Sequence, residues 1–297
     1  MKIVFLGTGS MQPTKERNLS AALVNYKNEN ILVDCGEGTQ RQMKIAGLKP
    51  TKITKILISH WHGDHVIGLA GLIQYLKANE YNKTLEIYGP IGTKEYFNRL
   101  MHSFIFKHDL SINIKELKRD GIFLKSKDFS LVAYKLNHSV PCLGYAITEN
   151  ERRNINLEYL KKFGLKEHPI LGKLQKGEDI TWNGKKIRAK DATIVKKGIK
   201  VSFIADTAYC NNCLKLAKDS DLLICESTYL NELERKAEEY KHLTPKEAAT
   251  IAKKANVKRL ILTHFSQRYK EEDEMKKEAK KIFNSVECAK DFMETDI

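Results

Sequence analysis

The chain has 297 residues, more than one typical domain but within reach of a single large sandwich or barrel with an insertion. No apolar run approaches the roughly 18 residues of a membrane span, and the start MKIVFLGTGS lacks the apolar core and cleavage site of a signal peptide, so a cytoplasmic protein is expected. Lys and Arg number 51 against 37 Asp and Glu, a formal +14, which favours a polyanionic partner.

Taken in chain order, the first third reads as short strands: KIVFLG (2–7), SAALVNY (20–26) and NILVDCG (30–36), the last two joined by a hairpin turn in YKNEN. A helix is predicted from about Gly38 to Ala46. The next strand, ITKILI, is bounded upstream by Pro50-Thr51 and runs directly into SHWHGDH at 59–65. Beyond Asp64, the apolar residues Val66, Ile67, Ala70, Ile73 and Leu76 recur at helical spacing. Asp64 is therefore expected near a helix N-terminus, where dipole and free amides favour a carboxylate.

Further strand-like runs are TLEIYGP, FSLVAYKLNHS and LGYAIT. The second half alternates IKVSFIAD, DLLICE and RLILTHF with helices near 210–218, 245–256 and 271–283. Such a mixed chain predicts two sheets with helices outside. Residues 149–190 differ: eleven Lys or Arg and six acids leave a net +5, periodicity is weak, and Gly and Pro punctuate the stretch. A projecting arm or long loop is expected there.

The spacing in HWHGDH lets His60 and His62 share one face of an extended segment, while Asp64 and His65, past the Gly63 turn, aim at a second point. Two metal ions side by side are the natural reading, and imidazole with carboxylate suits zinc, with manganese or iron also compatible. Three more candidates end strand-like runs: His138, Asp206 and His264. His102, His108 and His168 have no companions and are expected at the surface. The six cysteines are scattered, so free thiols are expected; Cys210-Asn211-Asn212-Cys213 is a lone CxxC without a partner pair. GTGS after the first strand fails the dinucleotide fingerprint, because position 12 is Gln.

Taken with FLGTGSMQPTKERN, DCGEGTQRQ, HSVPCLGYAI, GKLQKGEDI, FIADT, CEST, HLTPKEAA and THFSQRY, these motifs give a sequence that resembles the ribonuclease Z family of the metallo-β-lactamase fold over nearly its whole length. The resemblance implies an α/β protein: one αββα four-layer sandwich over 1–297, with 149–190 inserted as a protruding, flexible basic arm that grips tRNA. It implies a zinc-dependent endoribonuclease that removes the 3′ trailer from precursor tRNA, leaving a 3′-hydroxyl on the tRNA and a 5′-phosphate on the trailer. Two zinc ions per subunit are implied, one held by His60, His62 and His138, the other by Asp64, His65 and His264, with Asp206 bridging. Asp64 is then the proton acceptor for the attacking water, His242 the proton donor to the leaving oxygen, and Glu226 the holder of the His242 ring. RNA contacts are implied at Lys15, Arg17, Asn18 and Arg268, and at Lys173 and Lys176 in the arm. A homodimer is implied as well, one subunit's arm clamping tRNA bound at the other's site. The rival readings are a small-molecule hydrolase of the same fold, disfavoured by the basic arm and PTKERN, and a non-catalytic RNA-binding module, disfavoured by the full ligand set.

Overall fold

The computed structural model describes residues 1–107 and 109–297. His108, expected at the surface, lies outside the described residues. The chain divides into two compact units: Met1–Lys125, Leu131–Ile147 and Lys200–Ile297 form the first, Ser126–Ser130 and Thr148–Ile199 the second.

The first unit is built on two seven-stranded sheets. In one, Glu294–Asp296, Lys2–Gly7, Ala21–Tyr26, Glu29–Val33, Lys55–Leu57, Leu85–Gly89 and Ile112–Glu116 are successive neighbours, and the pairs from Glu29–Val33 onward are parallel. In the other the order is Val286–Cys288, Arg259–Thr263, Leu222–Glu226, Lys200–Ile204, Cys142–Glu149, Phe129–Leu136 and Gly121–Lys125, with the first four strands parallel. Each sheet is buried on both faces, which is why its central strands read as near-continuous apolar runs. Val4, Leu6, Leu23 and Ile56 pack under the helices Thr39–Ile45, Gly68–Ala78 and Thr93–Met101. Their alternate neighbours Ile3, Phe5, Val24 and Leu57 are buried as well, on the opposite face. Leu223, Cys225, Leu260 and Leu262 pack against Asn211–Ala217, Pro245–Lys254 and Asp273–Lys280, while Phe203, Ile224 and Ile261 fill the other side. The unit is thus the expected αββα sandwich.

Two expectations need correcting. The segment after Asp64 is two helices, Gly63–Val66 and Gly68–Ala78. Ile67 links them and is exposed, so the buried stripe becomes Leu69, Leu72, Ile73 and Leu76 rather than one through Ile67 and Ala70. Residues 149–190 are not an uncored loop. Within the second unit, Arg152–Ile155 pairs with Thr193–Lys196, and Ile180–Trp182 with Lys185–Ile187 across an Asn183-Gly184 turn whose residues both have positive φ. Leu160, Leu165, Leu174, Ile180 and Ile187 form its small core. The apolar residues are too widely spaced along short elements to show a periodicity. Lys173 and Lys176 are exposed there, at the helix Leu171–Gln175 and its end.

Candidate metal centre

The parallel strands of both sheets deliver the predicted ligands at their carboxyl ends, where open α/β sheets place their sites. His60 lies three residues past Lys55–Leu57, Asp206 two past Lys200–Ile204, and His264 directly follows Arg259–Thr263; Glu226 is the last residue of Leu222–Glu226. His138 follows Phe129–Leu136 by two residues. Folding brings all seven candidates together in the first unit. His60 Nε2 is 3.0 Å from His62 Nδ1, which is 3.2 Å from His138 Nε2. His65 Nε2 and His264 Nε2 are 3.2 Å apart, and lie 3.5 and 3.4 Å from Asp64 Oδ2.

Asp206 stands between the two groups. Its Oδ2 is 3.7 Å from His60 Nε2 and 3.9 Å from His138 Nε2; its Oδ1 is 3.5 Å from His65 Nε2 and 3.4 Å from His264 Nε2. That Oδ1 is buried and has no hydrogen-bond partner. Such an orphaned oxygen is costly unless something else meets it.

The far sides of the rings say what that is. His65 Nδ1 donates to Asp34 Oδ2 at 2.7 Å, His138 Nδ1 to the Lys241 carbonyl at 3.1 Å, and His264 Nδ1 to Thr228 Oγ1 at 2.9 Å. His60 Nδ1 faces Ser59 Oγ at 3.0 Å, and that hydroxyl already donates to Asp34 Oδ2 at 2.8 Å, so the ring nitrogen is the donor. These partners assign four tautomers in which Nε2 carries a lone pair. Four such lone pairs, with His62 Nδ1 and the carboxylates of Asp64 and Asp206, converge on two points with no proton donor among them. The residues fit divalent cations, and His60, His62, His138 with Asp206, and Asp64, His65 with His264, are groups that can hold one. Burial pushes the His60, His62 and His138 imidazoles below their ordinary values, keeping them neutral as ligands must be.

Other residues support this centre. Asp34 also accepts the Ser59 N–H at 2.7 Å, and both Asp34 and His264 adopt left-handed backbone, the strain expected where a site over-determines its chain. The turn after Asp34 approaches the motif and the helix behind it so closely that a Cβ on Gly36 would stand 2.7 Å from the Asp64 carbonyl oxygen, and one on Gly68 would stand 1.9 Å from the Gly36 carbonyl oxygen. DCGEG therefore locks onto HxHxDH through two glycines. Met11 N–H donates to Asp64 Oδ2 at 2.8 Å.

His242 lies beside the cluster, its Nδ1 3.1 and 3.2 Å from the two oxygens of fully buried Glu226 and 3.8 Å from Asp206 Oδ2. Burial alone would lower its basicity, but the Glu226 and Asp206 carboxylates raise it to about 9. Glu226 is itself fixed by the Thr207 N–H at 2.7 Å and the Thr228 hydroxyl at 2.6 Å. Neither Asp34 nor Thr228 is singled out by sequence reasoning; the only signal is that each follows a strand directly or nearly so.

The PTKERN loop corrects the RNA-contact expectation. Arg17 is 4% exposed, and its guanidinium donates to Glu272 Oε1 at 2.9 Å and to the Tyr269 and Lys270 carbonyls at 2.8 and 2.9 Å. It clamps the end of THFSQRY and the residues just after it. Asn18 is half-buried, its side-chain amide donating to the Glu37 carbonyl at 2.7 Å and its backbone N–H to the Asp291 carboxylate at 2.7 Å. Lys15 and Arg268 are exposed. His102 and His168 are at the surface as expected. All six cysteines are free; Cys210 and Cys213 Sγ lie 3.4 Å apart, and neither belongs to a metal-capable group among the described residues.

Paired sheets with a His/Asp cluster at their strand ends define a member of the metallo-β-lactamase superfamily. The model of the Beta-lactamase superfamily domain matches residues 188–265, and that of the Anti-Pycsar protein Apyc1 matches residues 1–114. In fold, the chain is similar to the metallo-β-lactamase fold protein YhfI of Bacillus subtilis, with a TM-score of 0.72 at 22% identity over 99% of this chain and 98% of that one. It is 40% identical over 291 residues to the ribonuclease Z of Chlamydia abortus, covering 98% of this chain and 95% of the relative. The short form of human tRNase Z superposes over 100% of this chain and 99% of its own, with a TM-score of 0.72 and 29% identity. The chain belongs to the ribonuclease Z family.

Proposed function

We propose that this protein is a zinc-dependent endoribonuclease that removes the 3′ trailer from precursor tRNA, leaving a 3′-hydroxyl on the tRNA and a 5′-phosphate on the trailer. The observation that carries the reading is the convergence of seven ligand side chains on two points with a buried, partnerless Asp206 oxygen between them. Family membership supplies the substrate class. His60, His62 and His138 would hold one zinc ion, Asp64, His65 and His264 the other, and Asp206 both. The chemistry two such ions supply is Lewis acidity: an acidified water near neutral pH and neutralised phosphate charge.

The protein's own groups do the rest. Asp64 orients the attacking water and accepts its proton. Proton return to the leaving oxygen falls to His242, whose Nδ1–H is committed to Glu226 and whose Nε2 is left for the substrate. Glu226, locked by Thr207 and Thr228, keeps that ring in one tautomer. Lys15 and Arg268 are exposed cations of the catalytic unit, and Lys173 and Lys176 of the arm, available for phosphate. A homodimer in the cytoplasm, each arm gripping tRNA at the partner's centre, completes the reading; the six free thiols suit a reducing compartment.

The test is incubation of zinc-loaded protein with an end-labelled tRNA precursor bearing a 3′ trailer, with both product ends mapped. Cleavage at one site with the stated ends is expected. His242→Ala should keep its zinc and lose roughly 10²–10⁴-fold in rate. Hydrolysis of a small phosphodiester without any cut in the precursor would instead favour the small-molecule hydrolase.

A further inference from the structure

The cleft over the metal centre, about 840 Å³, has one wall where the mechanism gives a task to Arg268 alone. His62, Asp64 and His242 line its catalytic side, and Tyr229, Lys236, Tyr240 and Arg268 line that wall. The Tyr229 ring centroid is 5.9 Å from that of His242, with the planes at 70°. The Arg268 guanidinium carbon stands 5.3 Å from the Tyr229 centroid, and Lys236 Nζ lies 5.8 Å from Tyr229 and 5.7 Å from Tyr240. Tyr240 is 52% exposed, and neither ring is part of the core beneath the helices. Two aromatic rings with two long cations over them, lining the cleft beside the metal centre, form the combination that binds single-stranded nucleic acid: bases stack on rings as the cations swing out to phosphates.

The side of the cut follows from His242. If its proton goes to the leaving oxygen, that oxygen is O3′ of the last nucleotide kept on the tRNA, so the ring next to His242 is next to that nucleotide. We infer that Tyr229 is the stacking subsite for the base of the last retained nucleotide, with Tyr240 extending the platform and Arg268 and Lys236 holding the adjoining phosphates. The inference rests on the ribonuclease reading and adds a base-binding site to it. The alternative is that the cations merely steady two tyrosines of the cleft wall.

The experiment uses the full-length zinc-loaded protein and three precursor tRNAs: one with all bases, one abasic at the last retained nucleotide, and one abasic at the first trailer nucleotide. Wild type should lose roughly 5- to 150-fold in kcat/KM on the second, the range of one stacked base, and little on the third. Tyr229→Leu should cleave the first two equally, because the ring that told them apart is gone, while Tyr229→Phe should still distinguish them. Wild type that ignores the missing base at the retained nucleotide overturns the inference, whatever the variants do. So does Tyr229→Leu that still distinguishes the pair, or a loss that falls on the trailer nucleotide instead. Wild type inactive on the fully based precursor would overturn the ribonuclease reading itself and is distinguishable by that first reaction alone.

Discussion

Asp34 Oδ2 accepts the Nδ1–H of His65 at 2.7 Å, across 31 residues of sequence, from a backbone in the left-handed region. The same carboxylate takes both the N–H and the hydroxyl of Ser59, and that hydroxyl in turn receives Nδ1–H of His60. One buried acid thus orients a histidine in each of the two groups that can hold a metal ion.

It follows that Asp34→Asn acts on metal binding without touching a ligand. The amide nitrogen can only donate, so either His65 or Ser59 faces a donor instead of an acceptor. Zinc affinity, measured by competition with a chelator, should fall by about 10- to 100-fold. Unchanged affinity in a folded variant would dismiss Asp34 as an orienting group.

Thr228 carries a comparable role on the other side. Its single buried hydroxyl donates to Glu226 Oε2 and accepts from His264 Nδ1, so one side chain couples the proposed support of His242 to a proposed metal ligand. Thr228→Val keeps the shape, leaves the buried His264 Nδ1–H without an acceptor and takes one of its hydrogen bonds from Glu226, a loss of about 1–3 kcal/mol in unfolding free energy. Thr228→Ser restores the hydroxyl and should recover both stability and precursor cleavage. Failure of Ser to rescue would mean the methyl group, not the hydroxyl, matters.

The cysteines make a separate prediction about reactivity. The hydrogen bond from Cys213 and nearby backbone amides lower the half-buried Cys210 thiol to about 5, outweighing its burial, whereas burial pushes Cys35 and Cys288 up to about 12. Only thiolates alkylate rapidly. A brief iodoacetamide pulse at pH 7 followed by peptide mapping should find Cys210 modified well ahead of the other five. Comparable labelling of Cys35 or Cys288 would contradict this.

In the basic arm, Lys173 and Lys176 are exposed. If both bind tRNA phosphates, Lys173→Glu with Lys176→Glu should weaken precursor binding and make the dependence of log affinity on log salt shallower by about 0.7–0.9 for each phosphate no longer neutralised. Zinc content should stay at the wild-type level, since the second unit holds no member of the metal cluster. Affinity and salt slope equal to wild type would remove these two lysines from the RNA surface.

What could be read from the sequence was whatever depends on neighbours along the chain. Apolar runs such as ITKILI mark strands buried on two faces, and HWHGDH alternates ligand side chains in a way that few other functions require. Strand ends then nominate His138, Asp206 and His264, because sheets place chemistry at their carboxyl edges. Folding decided whatever depends on distant partners. Arg17 sits in a basic-looking loop, and only its contact with Glu272, 255 residues away, turns it from an RNA-facing cation into a buried clamp. Ile67 fits a helical stripe by spacing, yet a break between two short helices turns it to solvent. Asp34 and Thr228 are ordinary polar residues until the sheets bring histidine nitrogens within bonding distance of them. Periodicity is local information, whereas hydrogen-bond partners and burial are set by which strand lies beside which, and no short stretch of sequence contains that.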